Sequence, residues 1–299
     1  MRFIVSLLLG LIMAVAPAQA ADGSDRLKVV ATFSIIADLT ERVAGDAIEL
    51  SSLTPVGAEV HEWELNARNF AALEEADVVF YNGYNLEQWM GQVRATVRDG
   101  TPIIPVAEDS GWETLGIVTG DLEGRPDPHL WMDPRAAAAY GHVIAETLSE
   151  LDPERAHSFR DGAKALEREL DELYADIKDT LAAIPDAQRM LITSEAAFLY
   201  FADAFDFEHD GIWGTNSEEE GTPQQLARVM DVIRERQPKA IFWESTISDR
   251  HVRSISGDTG VPYHGPLYVD SLGNPGDDAD TYTAMMRYNA RLLAEKLAP

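Results

Sequence analysis

Seven histidines and no cysteine stand among the 299 residues, beside 51 acidic side chains. Thiolate nucleophiles and thiolate metal sites are absent, so metal or acid–base chemistry must be built from imidazole and carboxylate. His61 and His129 each occupy a loop after a strand-like run, where open parallel sheets place their ligands. His129 is stiffened by Pro128 and followed by Leu130-Trp131. In the second half, Glu195 directly follows the strand-like MLITS, and Asp270 follows Leu267-Tyr268-Val269. Each of the four also has an ordinary explanation. A histidine is more often packed or solvated than a ligand. A glutamate suits the start of a helix, and an aspartate suits a turn. The pattern alone leaves both readings open.

The other histidines carry less. His142 and His157 lie on helical stretches with no metal-type spacing and read as surface or interface residues. His209 and His251 are flanked by charged neighbours and read as solvated. His264, in Pro-Tyr-His-Gly-Pro near a strand end, is a reserve candidate.

The elements that must position these residues alternate between strand and helix. Residues 28–33, 48–53, 77–81 and 102–106 read as strands, with helical patterns at about 34–45, 67–75 and 85–98 between them. Such alternation predicts a parallel sheet covered on both faces. A loop with three prolines, 126–134, feeds a helix begun by Asp133-Pro134. From Asp152 to Ile184, apolar residues recur every three or four positions, which predicts a helix about 50 Å long. A rod of that length suits a spine between two lobes. The rhythm then restarts, with strands at 190–193, 207–213, 240–243 and 261–269 and helices at 196–204, 224–236, 249–258 and 279–297. The predicted fold is α/β, with two parallel-sheet lobes (21–151 and 185–299) joined by a linker helix at 152–184.

Apolar residues make up 45% and charged residues 25% of the chain, as in ordinary globular proteins. The net charge of −27 argues against partners such as nucleic acid or anionic membrane surfaces. Arg2, the apolar run 3–16 and the Ala18-Gln19-Ala20 cleavage pattern predict a signal peptide over 1–20. No later stretch reaches the ~20 apolar residues of a spanning helix. The expectation is a soluble periplasmic protein without a lipid anchor, since no cysteine could carry one.

Several ordered motifs carry a family resemblance: VVATFSIIADLTERVAGD, ADVVFYNGYNLEQWM, DPHLWMDPRAAAAY, TSEAAFLYFADAF, AIFWESTISDR and LYVDSLG. Over about residues 27–297 the chain resembles the solute-binding proteins of manganese, iron and zinc ABC importers, the cluster A-I proteins with a rigid helical linker. The resemblance implies a monomeric receptor, not an enzyme, that hands a divalent ion to an ABC permease with a cytoplasmic ATPase. It also implies an ion held between the lobes by His61 and His129 from the first and by Glu195 and Asp270 from the second. One departure is the His61 loop, where Val60 and Leu65 stand in place of the family's frequent prolines, and a softer loop is expected.

Two imidazoles and two carboxylates form a harder ligand set than one with more histidines. Zinc-type relatives usually place a third histidine at the position of Glu195 and carry a His-rich loop, whereas residues 112–127 contain no histidine. The expectation is therefore Mn2+ first and Fe2+ next, with a Zn2+ receptor as the alternative. Two further alternatives are a metal-dependent hydrolase and an adhesin-like surface protein. Against the hydrolase, four protein ligands leave little room for a reactive water. The chain also lacks a nucleophile elbow, H-E-x-x-H or a phosphate loop.

Overall fold

A computed structural model describes residues 26–215 and 220–299, and the expected signal peptide lies outside them. The first lobe is a four-stranded parallel sheet in the order β2-β1-β3-β4, from β1 (Leu27–Ala31), β2 (Ile48–Ser52), β3 (Val78–Tyr81) and β4 (Ile103–Pro105). Its central strands read LKVVA and VVFY, β-branched and apolar as a sheet covered on both faces requires. Helices α1 (Ser34–Ala44), α2 (Ala67–Glu75), α3 (Met90–Thr96) and α4 (Val106–Asp109) accompany these strands. α3 starts later than the apolar pattern predicts. Tyr84 and Asn85 take left-handed backbone conformations and hold the preceding turn outside any helix.

Between α4 and the next helix, residues 115–127 form a narrow antiparallel hairpin. Ile117 N–H donates to Arg125 O and Gly124 N–H to Ile117 O, both at 2.9 Å. This hairpin leads straight into His129. Asp133 then caps α5 (Pro134–Leu151) by accepting from Arg135 N–H, with Pro134 in the first turn.

The long helix α6 spans Ala156–Leu181, about 39 Å at 1.5 Å per residue. It begins after Asp152, whose carboxylate takes the Arg155 N–H in the turn before it. Its buried stripe is Phe159, Ala163, Leu166, Leu170, Leu173, Ile177 and Leu181. That stripe packs on α1 and α5 of the first lobe and on α10 (Tyr282–Leu297), the closing helix. Close approach to α1 requires Gly162, since a Cβ there would sit 2.1 Å from Val43 O.

In the second lobe β5 (Met190–Glu195) pairs with β6 (Glu208–Trp213), and β7 (Ile241–Glu244) pairs with β8 (Tyr263–Leu267), each in parallel. β5 lies alongside β7, and at its carboxyl end the Glu244 side chain, rather than a backbone ladder, receives the Ser194 and Glu195 N–H groups. Helices α7 (Leu199–Ala204), α8 (Pro223–Arg236) and α9 (Arg250–Thr259) complete the lobe. One buried apolar cluster runs from Val29 and Phe80 through α5 and α6 to Phe201, Phe242 and Met285, so the lobes share a core. No helix among the described residues is long and apolar enough to cross a membrane.

Candidate metal centre

The structure brings together all four residues singled out from the sequence. His61 comes from the loop after β2, His129 from the loop after the hairpin, Glu195 from the last position of β5, and Asp270 from the segment after β8. One ligand atom from each lies within 4.8 Å of all the others. None of the four is more than 1% exposed. His61 Nε2 is 3.5 Å from Glu195 Oε1 and 3.9 Å from Asp270 Oδ2, and His129 Nε2 is 3.6 Å from a carboxylate oxygen of each. Those separations exceed the 2.7–3.2 Å of a hydrogen bond. They leave room for a cation between the donors at metal–ligand bonds of ~2.0–2.3 Å. Neither His61 Nε2 nor His129 Nε2 has a hydrogen-bond partner despite full burial. Buried polar atoms are rarely left so, and a cation at the centre would satisfy both.

The two histidines are held alike at the backbone and differently at the ring. Each follows an acidic residue by two positions, and that carboxylate accepts the histidine N–H: Glu59 to His61 at 2.8 Å and Asp127 to His129 at 2.9 Å. Asp127 also lies 3.0 Å from His129 Nδ1. A carboxylate can only accept, so this contact places the ring proton on Nδ1 and leaves the Nε2 lone pair facing the centre. The His61 Nδ1 has no such partner. Burial draws the His129 imidazole down, but Asp127, with Asp270 and Glu59, outweighs it and leaves its pKa raised. Burial, followed by the charge of His129, holds His61 well below its ordinary value and keeps its ring neutral.

The His61 loop is pinned without prolines. Val60 is fully buried, Trp89 Nε1 donates to its carbonyl at 2.7 Å, and Gln88 N–H donates to His61 O at 3.2 Å. The softer loop expected from the sequence is thus stiffened by contacts distant in the chain.

On the opposite side, burial, reinforced by the charge of Asp270, pushes Glu244 up to about 8, against the pull of its Ser194 and Glu195 donors. The segment carrying Asp270 is tied to the first lobe. Trp131 Nε1 donates to Val269 O at 3.0 Å, and Gly57 N–H donates to Ser271 Oγ at 2.6 Å. The candidate residues of the two lobes are therefore linked by hydrogen bonds on both flanks of Asp270.

A family model described as ZnuA, zinc-uptake complex component A, periplasmic, matches residues 29–296. The chain belongs to this family. It is 36% identical over 282 residues to the iron-binding protein YfeA of Yersinia pestis, covering 94% of this chain and 90% of that one. It is 35% identical over 277 residues to the manganese ABC transporter substrate-binding lipoprotein PsaA of Streptococcus pneumoniae, covering 91% and 90%. Among solved structures, the periplasmic zinc binding protein TroA from Treponema pallidum matches with a TM-score of 0.83 at 28% identity, covering 91% and 99%. The manganese-bound periplasmic metal binding protein from Candidatus Liberibacter asiaticus matches with a TM-score of 0.82 at 29% identity, covering 90% and 98%.

Within this ZnuA-family chain, four supporting residues escaped the sequence reading: Asp127, Glu59, Glu244 and Glu87. Glu87 is fully enclosed and accepts from Thr32 Oγ1 and Asn82 N–H, both at 2.7 Å. Asn82 in turn donates to Pro128 O at 2.8 Å, beside His129. The acid-x-His spacing shared by Glu59 and Asp127 was a visible signal; Glu87 and Glu244 had none. The remaining histidines lie outside the centre. His142 and His157 pair with Glu167 and Asp161 on the surface. His209 is half-buried, not fully solvated as its charged neighbours suggested. Its Nε2 meets the Thr193 hydroxyl at 2.9 Å because β6 pairs with β5, and burial, then the charge of His129, lowers it to about 3. His251 packs against Trp213, and His264 on β8 packs against Phe242 of β7.

Proposed function

We propose that this chain captures one divalent transition-metal ion between its lobes and delivers it to the permease of an ABC importer. The carrying observation is the buried convergence of His61, His129, Glu195 and Asp270. Two neutral imidazoles and two carboxylates neutralise a divalent charge, and their burial favours an ion that binds tightly enough to shed its water. Manganese is the favoured cargo and ferrous iron the next. Carboxylates are hard donors, and each can bind through one or both oxygens and so raise the coordination number. Zinc is the second reading, favoured by the two imidazole donors in a site of four protein ligands. The matched relatives named above as substrate-binding or metal-binding proteins support a receptor rather than a hydrolase. We place the mature chain in the periplasm, and relatives such as PsaA are named lipoproteins.

The test is thermal unfolding of the chelator-stripped protein with manganese, ferrous iron or zinc, beside Glu195→Ala and Asp270→Ala. A native-state ligand at about 100-fold its Kd stabilises by roughly 2.7 kcal/mol. Stabilisation that disappears in both variants supports the site, and competition among the ions ranks them. No stabilisation by any of the three removes the receptor reading.

A further inference from the structure

A site whose four ligands are at most 1% exposed cannot be reached by a cation without a route. Two cavities flank the 115–127 hairpin, and they differ in what they touch. The first, about 290 Å³, is lined by His61 alone of the four, together with Tyr84 and Glu108 of the first lobe, Leu122 and Arg125 of the hairpin, and Thr215 after β6. Six waters at about 30 Å³ each need roughly 180 Å³, so a hydrated divalent ion fits this space. The second, about 430 Å³, lies between the hairpin tip at Thr119–Glu123 and the start of α8, and none of the four lines it. Roominess alone would favour the second cavity; contact with a ligand favours the first.

The tethering of the rings points the same way. His129 is bound through Nδ1 to Asp127, so turning its ring breaks a buried charge-assisted hydrogen bond. His61 has no partner on Nδ1, and its ring can turn toward the cavity while Glu59 and Gln88 keep its backbone in place. From the cavity and the unequal tethering together, we infer that the cation enters and leaves past His61 through the smaller cleft, with Leu122 at its wall setting the rate. This rests on the metal-receptor reading and adds the path. The competing arrangement is a parting of the lobes as whole bodies, which would expose all four ligands together and make the hairpin side chains irrelevant to the rate.

Stopped-flow mixing of manganese with the stripped protein, and transfer of manganese from the loaded protein to a fluorescent chelator, give the two rates. Leu122→Trp, which fills the cleft, is expected to slow both by about tenfold with Kd changed less than about threefold. Leu122→Ala, which widens it, is expected to raise both and carries the test if the tryptophan variant does not fold. Gln224→Trp places the same bulk in the other cavity and is expected to leave both rates unchanged. Unaltered rates in the Leu122 variants, or equal slowing by Gln224→Trp, would overturn the proposed path. Failure of the unsubstituted protein to bind manganese, iron or zinc would instead remove the receptor reading beneath it.

Discussion

The two lobes solve one positioning problem with different means. In the first, both proposed ligands are histidines in loops, and each loop is fixed by an acidic residue two positions earlier plus contacts from elsewhere: Trp89 and Gln88 for one, Asn82 for the other. In the second, both proposed ligands are carboxylates at or just after strand ends, and the seam between β5 and β7 is bridged by the buried Glu244 side chain. Each lobe thus hides a glutamate, Glu87 or Glu244, that gathers backbone N–H groups near the site. The comparison teaches that a loop ligand needs a network, whereas a strand-end ligand inherits its place from the sheet.

The largest expected effect tests whether the lobes are separate at all. Leu173 is fully buried on α6 within the core shared by both lobes. Leu173→Ala is expected to cost about 3 kcal/mol and to lower one cooperative transition in calorimetry. Two transitions, with only one displaced, would mean that the lobes unfold independently.

Next come the hidden glutamates. Glu87→Ala strands three donors (Thr32 Oγ1 and the Asn82 and Gly83 amides) and is expected to cost about 3 kcal/mol in urea unfolding. Glu244→Ala strands two amides and should cost about 2 kcal/mol. The reverse order would show that the β5–β7 seam matters more than the loop network.

The tethers of the two histidines separate more finely. Asp127→Ala removes the ring partner of His129 and is expected to weaken metal binding about 10- to 100-fold by titration calorimetry. Glu59→Ala removes the carboxylate that accepts the His61 backbone N–H and is expected to weaken binding by less than about tenfold. Equal losses would erase the distinction drawn between the rings.

A separate effect concerns pH in the metal-free protein. Glu244 is raised to about 8 when folded, above the ordinary carboxyl range it regains on unfolding. A raised folded pKa means that the native state holds the proton more tightly. The resulting stability is complete below about pH 4.5 and is lost as pH rises toward 8. Urea unfolding between pH 5 and 8 is expected to show a steeper decline for the unsubstituted chain than for Glu244→Gln, which cannot ionise. Parallel curves would count against a neutral Glu244.

Much of this was legible in the sequence because apolar periodicity is local. The stripe from Ala163 to Leu181, the caps Asp133-Pro134 and Thr222-Pro223, and the strands around the site can be read within a short window. The four candidate ligands were nominated by position at strand ends, but their meeting depends on how two lobes pack, which no short window contains. The hairpin at 115–127 was hidden because its turns rest on Gly120 and Gly124 without alternating strands around them. The start of α3 was misplaced because a left-handed conformation is rare for Tyr84, although Asn85 is a residue type that tolerates one. His209 looked solvated because Glu208 and Asp210 flank it, while its actual neighbour Thr193 lies one strand away.

The central claim is that the two lobes each contribute two ligands to one ion. Crystals grown with manganese and measured at the manganese absorption edge test it most directly. One strong anomalous peak is expected, about 2.0–2.4 Å from His61 Nε2, His129 Nε2 and carboxylate oxygens of Glu195 and Asp270. Peaks confined to surface carboxylates, with these four side chains holding nothing between them, would contradict it.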